Sequence, residues 1–237
     1  MFTLLHYTIR DIKKTEEVFF CALIFLKKQH KIPVHHIDVM ADKNMEIEIR
    51  FILTKGQYQH LLSSLPRITA VQGRKKQKDT YFSPPHKNFL QGPSVSDWLR
   101  IGEQGDRVIL NFKHWYYAKV PSQGGTHCDE FEVEVKDAPA LYNIFQALQF
   151  KQLCIVQKER STFLYKKTFE IALDQVNGLR YFIEIETKKA FPIVQKAREQ
   201  LFRFAQTLGI DIERIETKGY PWLLLQKKKL LPSSSPS

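Results

Sequence analysis

Along the middle of the chain, hydrophobic and polar residues repeatedly alternate with a period of two. Glu46–Leu53 places Glu46, Glu48 and Arg50 on one face and Ile47, Ile49 and Phe51 on the other, as the pleat of a strand requires. Further extended segments are predicted near Ala70–Phe82, Trp98–Ile101, Arg107–Trp115, Glu130–Lys136, Cys154–Thr162, Lys167–Leu173 and Arg180–Glu186. Helical spacing predicts a short helix over Gly56–Leu65, ending before Pro66, and a second over Pro139–Leu148. A third is traced by Ile193, Val194, Ala197, Leu201, Ala205 and Leu208 on one face. The pattern is that of an α+β chain dominated by antiparallel strands in short meanders.

The polar half of this alternation is charged, which changes the picture. Glu132 and Glu134 alternate with Phe131, Val133 and Val135; Glu184 and Glu186 flank Ile185; Lys158 and Arg160 repeat the spacing with positive charge. One such pair is what any solvated strand face produces. Three acidic pairs and a basic pair on separate strands predict instead a closed or nearly closed barrel with helices outside and a charged lumen. Phe112, Phe131 and Phe182 are then expected to form core between barrel and helices. Ions taken out of water need partners or a ligand. Carboxylates two residues apart suit Mg²⁺ or Mn²⁺, which take oxygen ligands together with substrate phosphates. Lysines and arginines facing the same space would hold those phosphates.

Composition narrows the classes. The net charge of +11 points to an anionic partner, but the excess is spread along the chain and interleaved with carboxylates, so nucleic acid is not expected. Cys21, Cys128 and Cys154 are scattered without metal-binding spacing, which favours a reducing, cytoplasmic setting. The longest nearly apolar run, Val18–Leu26, is too short for a bilayer span. That run follows Glu16-Glu17 and precedes Lys27-Lys28 without a small-residue cleavage site, unlike a secretory signal. Residues 1–44 are expected to be an extension, disordered or absent from the native protein, with Met40 or Met45 able to serve as a start. Residues 45–225 form the expected domain, and the basic Pro/Ser tail, 226–237, is expected to be disordered.

Met45-Glu46-Ile47-Glu48-Ile49-Arg50 resembles the E-x-E-x-K signature of the CYTH superfamily, which contains class IV adenylate cyclases, thiamine triphosphatases and inorganic tripolyphosphatases. Gln77–Phe82, Leu99-Arg100-Ile101, Leu110–Lys113, Glu132–Glu134, Lys158–Arg160, Leu173-Asp174 with Gly178, Phe182–Glu186 and Tyr220–Leu225 resemble the same family in the same order. The layout is most similar to the class IV adenylate cyclase branch. The resemblance implies an eight-stranded antiparallel tunnel, open at both ends, that binds a triphosphate with Mg²⁺ or Mn²⁺. It implies Glu184 and Glu186 as metal ligands with Glu46 and Glu48 as helpers, and Asp174 near the metal or substrate. Arg50, Arg100, Lys113, Lys158 and Arg160 would hold phosphate oxygens, while Glu132 and Glu134 line the tunnel without an assigned role. The catalytic set is thus Glu184, Glu186, Asp174 and Lys113. Two departures stand out: Arg50 replaces the family's lysine, and Gly102 stands where a second arginine follows L-R-I.

The first expectation is a cyclase that converts ATP to cyclic AMP and pyrophosphate. The alternatives are a tripolyphosphatase or a thiamine or nucleoside triphosphatase acting on the terminal phosphate, and a polyphosphate or nucleotide binder without turnover. No membrane partner is expected, and the oligomeric state is left open between a monomer and a homodimer.

Overall fold

The computed structural model describes residues 44–91, 95–117, 124–189, 191 and 193–231. Apart from Asn44, the expected N-terminal extension lies outside them. The strands are β1 (Met45–Glu46), β2 (Glu48–Leu53), β3 (Ala70–Ser83), β4 (Asp97–Gln104), β5 (Arg107–Tyr117), β6 (Gly125–Val135), β7 (Lys151–Tyr165), β8 (Phe169–Val176) and β9 (Tyr181–Thr187). They form one antiparallel sheet in the order β1-β6-β5-β4-β3-β7-β8-β9-β2. β1 and β2 are consecutive stretches of chain separated only by Ile47, yet β1 pairs with β6 and β2 with β9. The first strand thereby joins both edges of the sheet and closes it into a barrel. Counted as chain segments, the wall has the eight strands the sequence predicts; the break at Ile47 makes nine.

Among the described residues, four helices pack against the barrel: α1 (Lys55–Ser64), α2 (Ala138–Ala147), α3 (Val194–Thr207) and α4 (Tyr220–Lys227). α1 starts at a capping box, in which the Gln57 backbone N–H donates to Thr54 Oγ1 (3.2 Å) and the Thr54 N–H donates to Gln57 Oε1 (2.9 Å). Its Tyr58 and Leu61 pack against the apolar outer face of β2, β8 and β9. Ala197, Leu201, Phe204 and Ala205 of α3 complete that core around Phe51, Ile171, Leu173, Ile183 and Ile185. α2 covers β3–β5, with Phe145 edge-on to Phe82 at 5.0 Å between centroids.

The fourth helix is different. Tyr220, Trp222, Leu224 and Leu225 cluster with Tyr81, Val156, Val176 and Phe182, residues that share the inward face with the lumen charges by strand register. α4 therefore lies against one rim of the barrel and narrows that mouth.

Three expectations change. Phe182 points inward, its ring 4.9 Å from that of Tyr220. Phe131 is 52% exposed on the outer face of β6 and takes part in none of the cores that the helices form. The last helix runs to Lys227, and Leu231 is buried, so the expected tail starts later than residue 226. No helix of the described residues is long and apolar enough to cross a membrane.

Candidate active site: a charged tunnel

A cavity of about 500 Å³ runs through the barrel. Its lining extends from Gln72, Lys75 and Gln104 at one rim to Trp98, Trp115 and Tyr117 at the other. The cross-strand pairs put the charges on its walls. Arg50 faces Glu184, Glu48 faces Glu186, Lys113 faces Glu130, and Arg160 faces Asp174. Side chains of cross-strand neighbours project to one side of a sheet, so the period-two pattern becomes a two-sign lining.

These charges are paired with one another. Glu184 accepts from Arg50 Nε (2.9 Å) and Nη2 (2.6 Å) through Oε2, and from Arg160 Nη2 (2.9 Å) through Oε1. Arg50 Nη2 also donates to Glu48 Oε1 at 2.6 Å, and its Nη1 donates to the Lys218 carbonyl at 3.2 Å. Arg160 forms a two-point pair with Asp174, at 2.8 and 2.6 Å, and the Tyr220 hydroxyl donates to Asp174 Oδ2 at 2.8 Å. Lys113 donates to Glu46 and lies 3.3 Å from Glu130 and 3.7 Å from Glu48. Lys158 Nζ and Arg100 Nη1 each lie 3.2 Å from Asp79 Oδ2.

The electrostatics are uneven. Burial opposes the charge on Glu184, but Arg160 and Arg50 overcome it and hold this carboxyl well below the usual range. Burial likewise opposes ionisation of Glu130, which Lys113 nevertheless brings down to about 2. Glu46 goes the other way: burial, with Glu48, Glu130 and Glu186 nearby, raises it well above the carboxylate range despite Lys113. Glu186 is pushed up to about 7 by burial, with Glu170 adding to the shift, and its close cation is Lys188 at 3.1 Å. Burial lowers Lys158, with Arg160 adding to the effect.

The structure thus brings most of the sequence-predicted residues together. Glu46, Glu48, Arg50, Arg100, Lys113, Glu132, Lys158, Arg160, Glu184 and Glu186 all line the cavity. Glu134 pairs with Arg107 at 3.0 Å near the rim, both more than half exposed. Asp174 is fully buried behind Arg160 and outside the cavity lining. It holds that arginine from a place where it does not itself face the cavity. Arg50 already donates from each of its nitrogens to the wall, and its guanidinium lies 4.6 Å from the Tyr220 ring centroid. It ties Glu48 and Glu184 to one guanidinium.

Four residues were missed. Asp79 and Asn111 lie two positions from Tyr81 and Lys113 on the same inward faces. Glu130 extends the Glu132-x-Glu134 alternation one step back, and Asn111 Nδ2 donates to both Glu130 (2.7 Å) and Glu132 (3.0 Å). Period two was signal enough for these three. Tyr220, in contrast, reaches Asp174 from a helix, which no strand periodicity announces.

Whether a divalent cation suits the lining is a question of donor chemistry. Among the described residues, no group of three or more His, Cys, Asp or Glu side chains is gathered to hold a metal ion. Glu46, Glu48, Glu130 and Glu186 nonetheless form an acidic excess near one lysine, and the raised Glu46 and Glu186 carboxyls show the cost of burying negative charge there, to which neighbouring carboxylates add. A divalent cation would relieve that cost, and oxygen donors are what Mg²⁺ and Mn²⁺ take. The donors fit in chemistry and would need to turn from Lys113, Lys188 and, for Glu48, Arg50 to ligate.

Comparison with known proteins agrees with this architecture. A Methanocaldococcus jannaschii protein named Putative adenylate cyclase MJ0240 is 29% identical over 150 residues, covering 62% of this chain and 80% of that one. The PH1819 protein of Pyrococcus horikoshii OT3 superposes with a TM-score of 0.63 at 25% identity, over 77% of this chain and 99% of that one. A Hippeastrum protein, Putative adenylyl cyclase HpAC1, described as having a dominant triphosphatase activity, superposes with a TM-score of 0.54 at 16% identity, over 80% and 97% of the two chains. The family model for the CYTH domain matches residues 44–220, and the chain belongs to that family.

Proposed function

We propose that the tunnel binds a triphosphate together with Mg²⁺ or Mn²⁺ and catalyses its conversion, with cyclisation of ATP to cyclic AMP as the leading reaction. The observation that carries the reading is the convergence of Arg100, Lys113, Lys158 and Arg160 on one cavity that carboxylates also line. Guanidinium forks and ammonium groups are the donors that phosphate oxygens take, and the surrounding low-dielectric wall strengthens each contact. All three tryptophans of the chain, Trp98, Trp115 and Trp222, line the α4 mouth. An aromatic mouth next to a cationic centre favours a nucleotide over an inorganic polyphosphate.

In the cyclase reading the ribose 3′-hydroxyl attacks the α-phosphorus, the bond to the bridging oxygen breaks, and pyrophosphate leaves. Glu46, Glu48 and Glu186 would hold the metal, which supplies charge neutralisation and an acidified hydroxyl when bound. Glu184, held by Arg50 and Arg160, joins that set only by giving up those pairs. Lys158, Arg100 and Arg160 bind the phosphate oxygens and stabilise the charge that builds on the leaving pyrophosphate. Lys113, between Glu46 and Glu130, can turn from carboxylate to phosphate as the acids are neutralised.

The second reading is hydrolysis of the terminal phosphate, favoured by the activity described for HpAC1. Incubation with ATP or tripolyphosphate and either metal, followed by ³¹P NMR and chromatography, separates the two. Cyclic AMP with pyrophosphate supports the cyclase, orthophosphate without cyclic AMP the hydrolase, and no product with either substrate overturns turnover altogether.

Because every phosphate-binding cation is already paired with a carboxylate, a triphosphate entering without metal strands those carboxylates in a buried wall. Removing the metal with a chelator is therefore expected to weaken ATP binding by about tenfold or more, roughly 1.4 kcal/mol. Calorimetry with and without Mg²⁺ reads this directly, and equal affinities would contradict the exchange of partners.

A further inference from the structure

Gly102 stands where the family resemblance implies a second phosphate-binding arginine, and the simplest reading of that departure is a lost contact. The structure argues otherwise. Gly102 pairs with Asp79 across β3 and β4. A Cβ on Gly102 would lie 2.9 Å from Asp79 Oδ1, 3.8 Å from the Ile109 carbonyl and 3.9 Å from Gln104 Nε2. Asp79 is fully buried and stays outside the cavity lining. Its Oδ2 reaches both Lys158 Nζ and Arg100 Nη1 at 3.2 Å, and those two cations do line the cavity. Its Oδ1 has no hydrogen-bond partner and faces the glycine. A carboxylate with one oxygen against bare backbone and the other between two cations is held by the space the glycine leaves.

We propose that Gly102 and Asp79 act as one positioning unit: the missing side chain seats the Asp79 carboxylate against the inner face of the wall, beneath Arg100 and Lys158, where it aims both at the phosphates. On this account the chain has exchanged one direct phosphate contact for a buried anchor of two. Asp79 and Gly102 touch no substrate and act through the cations. The inference rests on the proposed triphosphate site and deepens it.

The test is tripolyphosphate binding, by calorimetry in Mg²⁺, to the wild type, Gly102→Ala, Gly102→Arg, Asp79→Ala and the Asp79→Ala/Gly102→Ala double variant. Gly102→Ala is expected to weaken binding by about tenfold, since its Cβ must displace a carboxylate pinned from the other side. Gly102→Arg is expected to weaken it as well, even though it adds a cation. In the Asp79→Ala background the added methyl has nothing to displace, so the double variant should bind as the single Asp79 variant does. Tighter or unchanged binding by Gly102→Arg overturns the inference, as does a full tenfold further loss in the double variant. If Asp79→Ala does not fold, the Gly102→Arg comparison still decides. A wild type that binds no tripolyphosphate or ATP would instead sink the proposed function, and the positioning role with it. Urea unfolding of the single Gly102 variants would then show separately whether the Asp79 contact is real.

Discussion

Glu186→Gln is expected to keep the fold and lose at least about 100-fold in turnover, whereas Glu184→Gln is expected to lose stability, by about 3 kcal/mol. The two residues are neighbours on one face of β9, but their surroundings differ. Glu184 closes pairs with two buried arginines, and the amide would leave Arg50 with Glu48 alone and Arg160 with Asp174 alone. Glu186 has a single close cation, on a partly exposed lysine, and sits among other carboxylates. Its carboxyl, pushed from an ordinary value of 4.5 to about 7, binds a proton in the folded protein that the unfolded chain has released. In the absence of metal, stability should therefore be greatest below about pH 4.5 as far as this group is concerned, and fall as pH rises toward 7. The loss is on the order of 1–3 kcal/mol. Glu186→Gln should flatten that slope and be at least as stable as the wild type at neutral pH. Urea unfolding from pH 5 to pH 8, alongside product formation, checks both halves. An active Glu186→Gln protein would remove this residue from the metal site, and an unchanged pH slope would remove the crowding account.

Asp174→Asn is expected to be the costliest conservative change in the barrel, about 3–5 kcal/mol. The carboxylate has no exposed surface, forms a two-point pair with Arg160 and accepts the Tyr220 hydroxyl from α4. The amide keeps the shape but offers one acceptor where two are used, against a guanidinium that stays charged. Tyr220→Phe removes only one of those bonds and should cost about 1 kcal/mol. Thermal unfolding of the two variants, read beside tripolyphosphate binding at a temperature where both are folded, separates anchoring from chemistry. An Asp174→Asn protein as stable as the wild type yet inactive would place this residue in the catalytic set.

The strands of the wall were legible because each carries its own period: Ile183 and Ile185 outward, Glu184 and Glu186 inward, with nothing else needed to place them. The same reasoning misplaced Phe131, since alternation says which side of a sheet a residue takes and not whether a helix covers that side. Phe182 failed for the converse reason. The lumen is charged only in its middle, and near the α4 rim its face turns apolar to receive Tyr220. α4 itself gave no amphipathic stripe to read, because Tyr220, Pro221, Trp222, Leu224 and Leu225 are all buried. The types of charge in the site were visible from their spacing, but which pairs with which depends on strand order. Arg50 meets Glu184 across 134 positions of chain and Lys113 meets Glu46 across 67. A second difficulty was Gly102, where the informative feature is an absence that only its neighbour across the sheet explains.

The break at Ile47 has a bearing on how the protein is made. The segment that seals the barrel is among the first of the domain to leave the ribosome, and one of its two partners, β9, is the last strand to follow. Until residue 187 has emerged, Glu48–Leu53 has no strand to lie against, and the β6 edge has only the two residues of β1 to pair with. Sealing is therefore a late event during synthesis, and nascent chains cut short before β9 would carry open edges prone to association. The Arg50–Glu184 and Lys113–Glu46 pairs form across that same seam, so this part of the site and the closed wall arise together.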